Sequence, residues 1–188
     1  MAIKVDLEKA YDRLSWSFIF DTLNETGLPL DLIQVTMERI TTARMNVLWN
    51  GELMKDFVPS RGIRQGDHIS PYIFVFCIER LSHGISKAVA DGVWRPMRLS
   101  RNGIPLSHLF FADDLLLLAE ASSDQARIVY SVLEDFCISS GAKINITKTQ
   151  LFFSKNIHNG EASRIVNFLG FTITKDLGKY LGMHLLYS

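Results

Sequence analysis

The chain has 188 residues, of which 47% are hydrophobic and 21% are charged. This composition is typical of a single globular domain and excludes an intrinsically disordered chain. The 20 basic and 20 acidic residues cancel, so no overall charge attracts the chain to a nucleic acid or to an anionic membrane. No uncharged stretch reaches the roughly 18 residues that a membrane-spanning helix needs. Cys77 and Cys137 lie in apolar patterns, which favours an intracellular location, in the nucleus or the cytoplasm.

Apolar residues recur with the period of a strand or of a helix along the whole chain. In its first half, the predicted elements are a strand over 3–5, a helix capped by Ser15, a helix over 31–43, a hairpin over 45–58, a loop over 59–68 and a helix over 70–91. In its second half they are a hairpin at Asn102-Gly103, two strands over 109–118, a helix from Ser123 to Gly141, strands over 142–146 and 150–153, a helix over 161–168, and apolar fragments at 171–174 and 180–186. The pattern predicts one α+β domain of hairpins packed under helices.

Two acids, Asp113 and Asp114, interrupt an otherwise apolar run. A carboxylate in such surroundings needs a partner, a metal ion or access to water. Spacing alone leaves two interpretations open, a polar turn in a buried hairpin and a magnesium site. Asp6, at the end of another apolar strand, is a natural third carboxylate. Because successive strand residues face opposite ways, Asp113 is the preferred ligand over Asp114.

Paired carboxylates suit phosphoryl transfer, because two divalent ions about 4 Å apart activate an attacking hydroxyl and stabilise the leaving oxygen. The loop over 60–67 has glycines between polar groups, which lets forked donors approach a phosphate or a base edge, although a solvated loop is the alternative. Lys148 is either a donor to a phosphate or a solvated surface lysine. Tyr11 either forms a wall of a pocket beside the metal or packs in the core.

The segments together resemble the reverse transcriptases of non-LTR (LINE-type) retrotransposons, especially those of plant genomes. The family's two catalytic motifs resemble Asp6-Leu-Glu-Lys-Ala-Tyr-Asp12 followed by Trp16, and Phe111-Ala-Asp-Asp114. Its template and nucleotide loop resembles Ser60-Arg-Gly-Ile-Arg-Gln-Gly-Asp67 with Ser70-Pro71. The motif that follows the second catalytic motif resembles residues 141–149, and the primer grip resembles Tyr180-Leu-Gly-Met183. His68-Ile69 stands where the family loop usually has Pro-Leu.

The resemblance implies a polymerase palm over 1–188, with an antiparallel sheet and a catalytic hairpin packed on helices. It implies two Mg²⁺ ions, with Mn²⁺ as a substitute, held by Asp6, Asp113, Asp114 and the backbone of Leu7. It further implies that Tyr11 gates against the ribose 2′-hydroxyl and that Lys148 assists pyrophosphate departure. The implied template and nucleotide residues are Arg61, Gly62, Arg64, Gln65 and Gly66, and the implied primer grip is Tyr180, Leu181, Gly182 and Met183. The partners would be an RNA template, a DNA primer and deoxynucleoside triphosphates, with no membrane.

Members of this family carry a fingers region before the first motif and a thumb after the last. Since the first catalytic acid is Asp6 and the sequence ends just beyond the 180–183 segment, we expect both regions to be largely absent, as in a palm fragment of a retrotransposon reading frame. One alternative function is therefore an inactive remnant with at most weak nucleic-acid binding. Another is a palm-fold nucleotidyl transferase or cyclase of a different kind, against which the 60–67 loop and the 180–183 segment argue.

Overall fold

The computed structural model of the chain describes residues 1–98, 100, 103–180, 183 and 184. The helices are α1 (Ala10–Arg13), α2 (Trp16–Glu25), α3 (Leu30–Thr41), α4 (Ser70–Ala90), α5 (Ser123–Ser140) and α6 (Asn159–Leu169). The strands are β1 (Ala2–Val5), β2 (Leu48–Trp49), β3 (Glu52–Leu53), β4 (Met97–Arg98), β5 (Pro105–Leu106), β6 (His108–Phe111), β7 (Asp114–Leu118), β8 (Gln150–Phe152), β9 (Thr172–Ile173), β10 (Lys179–Tyr180) and β11 (Met183–His184). Within the described ranges, no helix is both long and apolar enough to cross a membrane.

A five-stranded sheet in the order β6-β7-β1-β8-β9 forms the centre of the fold. Strand β1 pairs antiparallel with both of its neighbours, so that Ile3 lies opposite Leu117 on β7 and Leu151 on β8. Only the outermost pair, β8 with β9, is parallel. Three further pairs, β2-β3, β4-β5 and β10-β11, form separate hairpins. The sheet is therefore built mainly from antiparallel pairs, as the sequence predicts.

The two faces of the sheet bury different apolar clusters. Successive side chains of a strand point to opposite faces, so Ile3 and Val5 enter the main core beneath the helices. Ala2 faces the other way and joins a smaller cluster with Leu116 and Leu118. Because both faces are covered, the apolar run in β7 is continuous rather than alternating.

Local signals fix the ends of the longer helices. The Ser15 hydroxyl accepts a hydrogen bond from the Phe18 N–H at the start of α2, at 3.3 Å. Helix α5 ends at Gly141, whose φ of 77° is the left-handed conformation that favours glycine. A β-carbon at Gly141 would lie 2.9 Å from the carbonyl oxygen of Arg13, so this helix end packs directly on the segment after α1.

Some sequence-based boundaries are wrong. The strand expected over 142–146 is absent, since only Ile144 forms an isolated bridge there, with Leu7. Polar residues explain the difference, because the carbonyl of Asn145 accepts the N–H groups of Lys148 and Thr149 and turns the chain. Helix α6 begins at Asn159, earlier than expected. Strands β4 and β5 pair on either side of the hairpin signal, whose Asn102 lies outside the described residues.

Candidate functional site

Asp6 lies directly after β1, and its backbone N–H and carbonyl are both hydrogen-bonded to a segment that is distant in the sequence. Its N–H donates to the Thr149 hydroxyl at 3.2 Å, and its carbonyl accepts the Asn145 N–H at 2.8 Å. The next residue, Leu7, bridges to Ile144. The segment after α5 therefore fixes the backbone from which the Asp6 carboxylate projects.

Asp113 and Asp114 lie at the turn between β6 and β7. Phe111 pairs with Asp114, which leaves Ala112 and Asp113 as a two-residue turn. Ala112 has a φ of 50°, which is unusual for a residue other than glycine. Val5 of β1 lies opposite Leu115 of β7, so continuing this antiparallel register by one residue sets Asp6 across from Asp114. Neighbouring strands thus bring the acids of two distant segments to one edge of the sheet.

The two adjacent acids have different surroundings. Asp113 is exposed and lines an open cleft of about 640 Å³. The other lining residues are Tyr11, Gln65, Gly66, Asp67, His68, Pro71 and Tyr72. Asp114 is half-buried, and one of its oxygens lies 3.9 Å from the Lys4 ammonium nitrogen. The cleft therefore presents the Asp113 carboxylate beside the loop that precedes α4.

Tyr11 forms one wall of this cleft. Its ring stacks on Phe74 of α4, with 4.6 Å between the ring centroids and 9° between the ring planes. Burial raises the pKa of Tyr11, and the negative charge of Asp113 raises this pKa further. The phenol is consequently neutral at physiological pH, and the ring is held by packing.

The loop before α4 docks onto the segment after Asp6 through backbone contacts. The Ile63 N–H donates to the Tyr11 carbonyl at 2.9 Å, and the Trp16 indole N–H donates to the Gly62 carbonyl at 2.8 Å. Gly62 has a φ of 85°, and a β-carbon there would lie 2.6 Å from the carbonyl oxygen of Asp12. The approach requires glycine, so Gly62 acts in this structure as the anchor of the loop.

The structure divides the predicted template and nucleotide residues between two cavities. Gln65 and Gly66 line the cleft with Asp113, whereas Arg61, Gly62 and Arg64 line a second cavity of about 500 Å³. This second cavity lies against α3 and the segment around the β2–β3 hairpin, and its apolar lining residues include Ile40, Met45 and Phe57.

Asp67 lines both cavities and is the residue that the sequence interpretation missed. Its carboxylate accepts two hydrogen bonds from the Arg39 guanidinium, at 3.0 and 3.1 Å, and one from the Ile69 N–H at 3.3 Å. The Arg39 hydrogen bond is the main reason why the pKa of Asp67 lies below its usual range, and the Ile69 N–H adds to this effect. An acid just before a predicted helix is a capping signal, whereas nothing in the sequence links it to Arg39, 28 residues away.

The described residues locate Lys148 and part of the predicted primer grip. Lys148 is exposed on the turn that follows Asn145 and is not among the residues that line the cleft. In the predicted primer grip, Tyr180 of β10 pairs with Met183 of β11. Leu181 and Gly182 lie outside the described residues.

The residues near the turn offer oxygen atoms, which are the ligand atoms that magnesium takes in proteins. Among the residues that the structure describes, no group of three His, Cys, Asp or Glu side chains could hold a metal ion by itself. Mg²⁺, however, commonly takes one or two carboxylates and completes its shell with water and substrate phosphates. Asp6 and Asp113 supply carboxylate oxygens at this edge of the sheet. This oxygen-only donor set fits Mg²⁺ or Mn²⁺ that is bound together with a phosphate substrate.

Comparisons with known proteins identify relatives of this arrangement. The chain is 33% identical, over 147 residues, to the retrovirus-related Pol polyprotein of the type-2 retrotransposable element R2DM of Drosophila melanogaster. The aligned residues are 77% of this chain and 13% of that polyprotein. An uncharacterized mitochondrial protein of Arabidopsis thaliana is 45% identical over 65 residues, which are 35% of this chain and 53% of that protein. The chain thus spans only a small part of the Drosophila polyprotein.

Solved structures agree with the predicted fold. Telomerase from Candida albicans, solved with a fragment of telomeric RNA, superposes on this chain with a TM-score of 0.62 at 16% sequence identity. The superposition covers 84% of this chain and 27% of the telomerase chain. Telomerase from Candida tropicalis superposes with a TM-score of 0.60 at 17% sequence identity, over 79% of this chain and 25% of the telomerase chain. These neighbours confirm the polymerase palm-like fold. The sequence also matches the family described as reverse transcriptase (RNA-dependent DNA polymerase) over residues 1–184, and the chain therefore belongs to the reverse transcriptase family.

Proposed function

We propose that residues 1–188 form the palm of a non-LTR retrotransposon reverse transcriptase, which adds deoxynucleotides to the 3′-hydroxyl of a DNA primer on an RNA template. The observation that carries this proposal is the pairing of β1, which ends just before Asp6, with β7, which begins at Asp114, beside an open cleft that Asp113 lines. Membership of the reverse transcriptase family supports the same chemistry.

Asp6, Asp113 and the Leu7 carbonyl are the groups that would hold two divalent ions, with Asp114 beside them. When bound, Mg²⁺ or Mn²⁺ supplies activation of the primer hydroxyl and charge stabilisation of the departing pyrophosphate. The chain contributes a backbone clamp on Asp6 and a turn that directs Asp113 into the cleft. Asp114, next to Lys4, adds negative charge near the same edge.

The cleft wall supplies the substrate contacts in this proposal. The stacked ring of Tyr11 would exclude a ribose 2′-hydroxyl, and Gln65 and Gly66, which line the same cleft, would position the incoming nucleotide and the template. Arg61 and Arg64, in the second cavity with Gly62, would contact template phosphates.

The resemblance implies two further roles. Lys148 would assist pyrophosphate departure, and residues 180–183 would grip the primer. The Drosophila relative suggests an R2-like element, and the Arabidopsis relative suggests a plant source. We propose the nucleus or the cytoplasm as the compartment, where such an element would meet its RNA.

Primer extension tests the proposed function. The purified chain is given an RNA template, a DNA primer, Mg²⁺ and four deoxynucleotides, beside Asp113→Asn and the matched control Asp124→Asn. Asp124 is an exposed acid on α5 that pairs with Arg127 at 3.0 Å. We expect incorporation to fall by at least about 1000-fold in Asp113→Asn, since metal stabilisation is worth several kcal/mol, and to persist in the control. A folded chain that incorporates nothing would overturn the proposal in favour of an inactive remnant.

A further inference from the structure

We infer that Thr149 is a positioning residue for Asp6, an inference that rests on the proposed role of Asp6 in metal binding. The Thr149 side chain is 0% exposed, and its hydroxyl oxygen accepts the Asp6 N–H at 3.2 Å across 143 residues of sequence. This hydrogen bond joins the segment after α5 directly to Asp6, the residue that follows β1.

The end of the strand pairing explains why a side chain is needed here. Strand β1 pairs with β8 as far as Lys4 opposite Gln150, and beyond that pair β8 no longer continues the ladder. A half-buried N–H at Asp6 still requires an acceptor. The Thr149 hydroxyl supplies that acceptor in place of a strand carbonyl.

Thr149 is itself fixed by its backbone. Its N–H donates to the Asn145 carbonyl at 2.9 Å, and its carbonyl accepts the Thr172 N–H at 3.2 Å. Asn145 in turn donates its own N–H to the Asp6 carbonyl. The hydroxyl therefore projects from a rigid turn, and both polar backbone groups of Asp6 are tied to that turn.

The shape of the Thr149 side chain and its hydroxyl group can be tested separately. Valine has the same branched shape and would fill the same buried space, so packing does not require the hydroxyl. Without that hydroxyl the Asp6 N–H loses its acceptor, and the Asp6 backbone keeps only the bond from the Asn145 N–H to its carbonyl. Removal of a group that orients a metal ligand typically lowers the metal affinity about 10- to 100-fold.

The test compares Thr149→Val, Thr149→Ser and Thr22→Val with the unaltered chain. Thr22 is 2% exposed, and among the described residues its hydroxyl has no hydrogen-bond partner, so its replacement by valine is the same chemical change without a lost contact. The affinity for Mn²⁺ is measured by electron paramagnetic resonance, and folding is checked by thermal melting. We expect Thr149→Val to bind Mn²⁺ about 10-fold more weakly, and Thr149→Ser and Thr22→Val to bind it normally.

Equal Mn²⁺ affinity in folded Thr149→Val would overturn the positioning role, as would an equal loss in Thr149→Ser. A separate variant, Asp6→Asn, distinguishes this failure from failure of the proposed function. If Asp6→Asn leaves Mn²⁺ binding unchanged, or if the unaltered chain does not bind Mn²⁺, the metal role of Asp6 is wrong and this inference falls with it.

A measurement on the unaltered chain needs no variant to fold. Amide hydrogen exchange at Asp6 should be as slow as at the centre of β1, because the N–H is bonded to a buried hydroxyl. Fast exchange at Asp6, with slow exchange at Ile3, would overturn the inference independently of the Mn²⁺ data.

Discussion

The ring of Tyr11 lies parallel to that of Phe74, with 4.6 Å between the centroids. Phe74 belongs to the buried face of α4 and is 1% exposed, so the packing of that helix holds the wall of the cleft that faces Asp113. Offset stacking of this kind adds about 0.5–1.5 kcal/mol beyond the burial of area. Cleft shape and core packing are therefore coupled at this one contact.

Replacement of Phe74 by leucine should disturb the cleft as well as the core. We expect Phe74→Leu to cost about 1–2 kcal/mol of unfolding free energy and to raise the KM for deoxynucleotides several-fold, because Tyr11 loses its support. The matched control is Phe136→Leu, which removes an edge-to-face contact with Phe18, 5.9 Å between centroids, away from the cleft. A similar KM change in both variants would contradict a local role of the stacked pair.

The effect of the Asp113 charge on the pKa of Tyr11 is testable by titration. Burial is the larger cause of the raised Tyr11 pKa and the Asp113 charge is the smaller. Asp113→Asn should therefore lower the Tyr11 pKa partway toward its ordinary value, leaving the effect of burial. The measurement is an NMR titration of labelled tyrosine rings, assigned with Tyr11→Phe. An unchanged Tyr11 pKa would show that the carboxylate does not face this ring.

The Arg39–Asp67 pair predicts a pH dependence of stability. The pKa of Asp67 is lowered in the folded chain, so the ionised carboxylate stabilises the fold at neutral pH. This contribution should be lost as the pH falls below the ordinary value of 3.8 and through the lower folded-state pKa.

Two variants isolate that contribution. Asp67→Asn and Arg39→Ala should both flatten the loss of stability in acid, which is measured by urea unfolding at a series of acidic pH values. Asp67→Asn should also loosen the start of α4, because an amide accepts the Ile69 N–H less strongly than a carboxylate does. If both variants lose unfolding free energy in acid as steeply as the unaltered chain does, the assignment to this pair is contradicted.

Alanine at Gly62 should be poorly tolerated for two reasons. The position has a positive φ, and the new β-carbon would meet the backbone of Asp12 at 2.6 Å. Gly27 has a similar φ of 74° with nothing within 4 Å, so Gly27→Ala isolates the strain alone. We expect Gly62→Ala to cost at least about 2 kcal/mol more than Gly27→Ala in urea unfolding. Equal costs would mean that the loop moves away without penalty.

Ala112 is expected to be a strained residue in the turn that carries Asp113. Its φ of 50° lies in the region that glycine occupies freely, and its side chain is exposed. Ala112→Gly should thus raise the unfolding free energy by up to about 1 kcal/mol. The check is thermal melting, and a lower melting temperature would contradict strain at this turn.

Much of the fold could be predicted from the sequence, because strong local signals mark its elements. Ser15 before an apolar helix and Gly141 after one identified true helix boundaries. The expected strand over 142–146 was wrong because apolar Ile144 and Ile146 resemble a strand pattern, whereas Asn145 turns the backbone. Local turn chemistry outweighs apolar alternation there.

The candidate site was only partly predictable for a different reason. Asp6 and Asp113 stood out as acids among apolar residues, and their roles stay predictions. Contacts across long sequence separations left no local trace, as with Thr149 on Asp6 and Arg39 on Asp67. The division of Arg61 and Gln65 between two cavities likewise depends on how the loop docks, which no local pattern encodes.

Single-nucleotide incorporation gives the sharpest test of the proposed polymerase site. A DNA primer is annealed to RNA templates that differ only in the next base, and each deoxynucleotide is supplied alone with Mg²⁺ or Mn²⁺. We expect the folded chain to add only the complementary nucleotide, and both Asp6→Asn and Asp113→Asn to abolish the addition. Addition that ignores the template base, or that survives both substitutions, would contradict a template-directed polymerase site built on these acids.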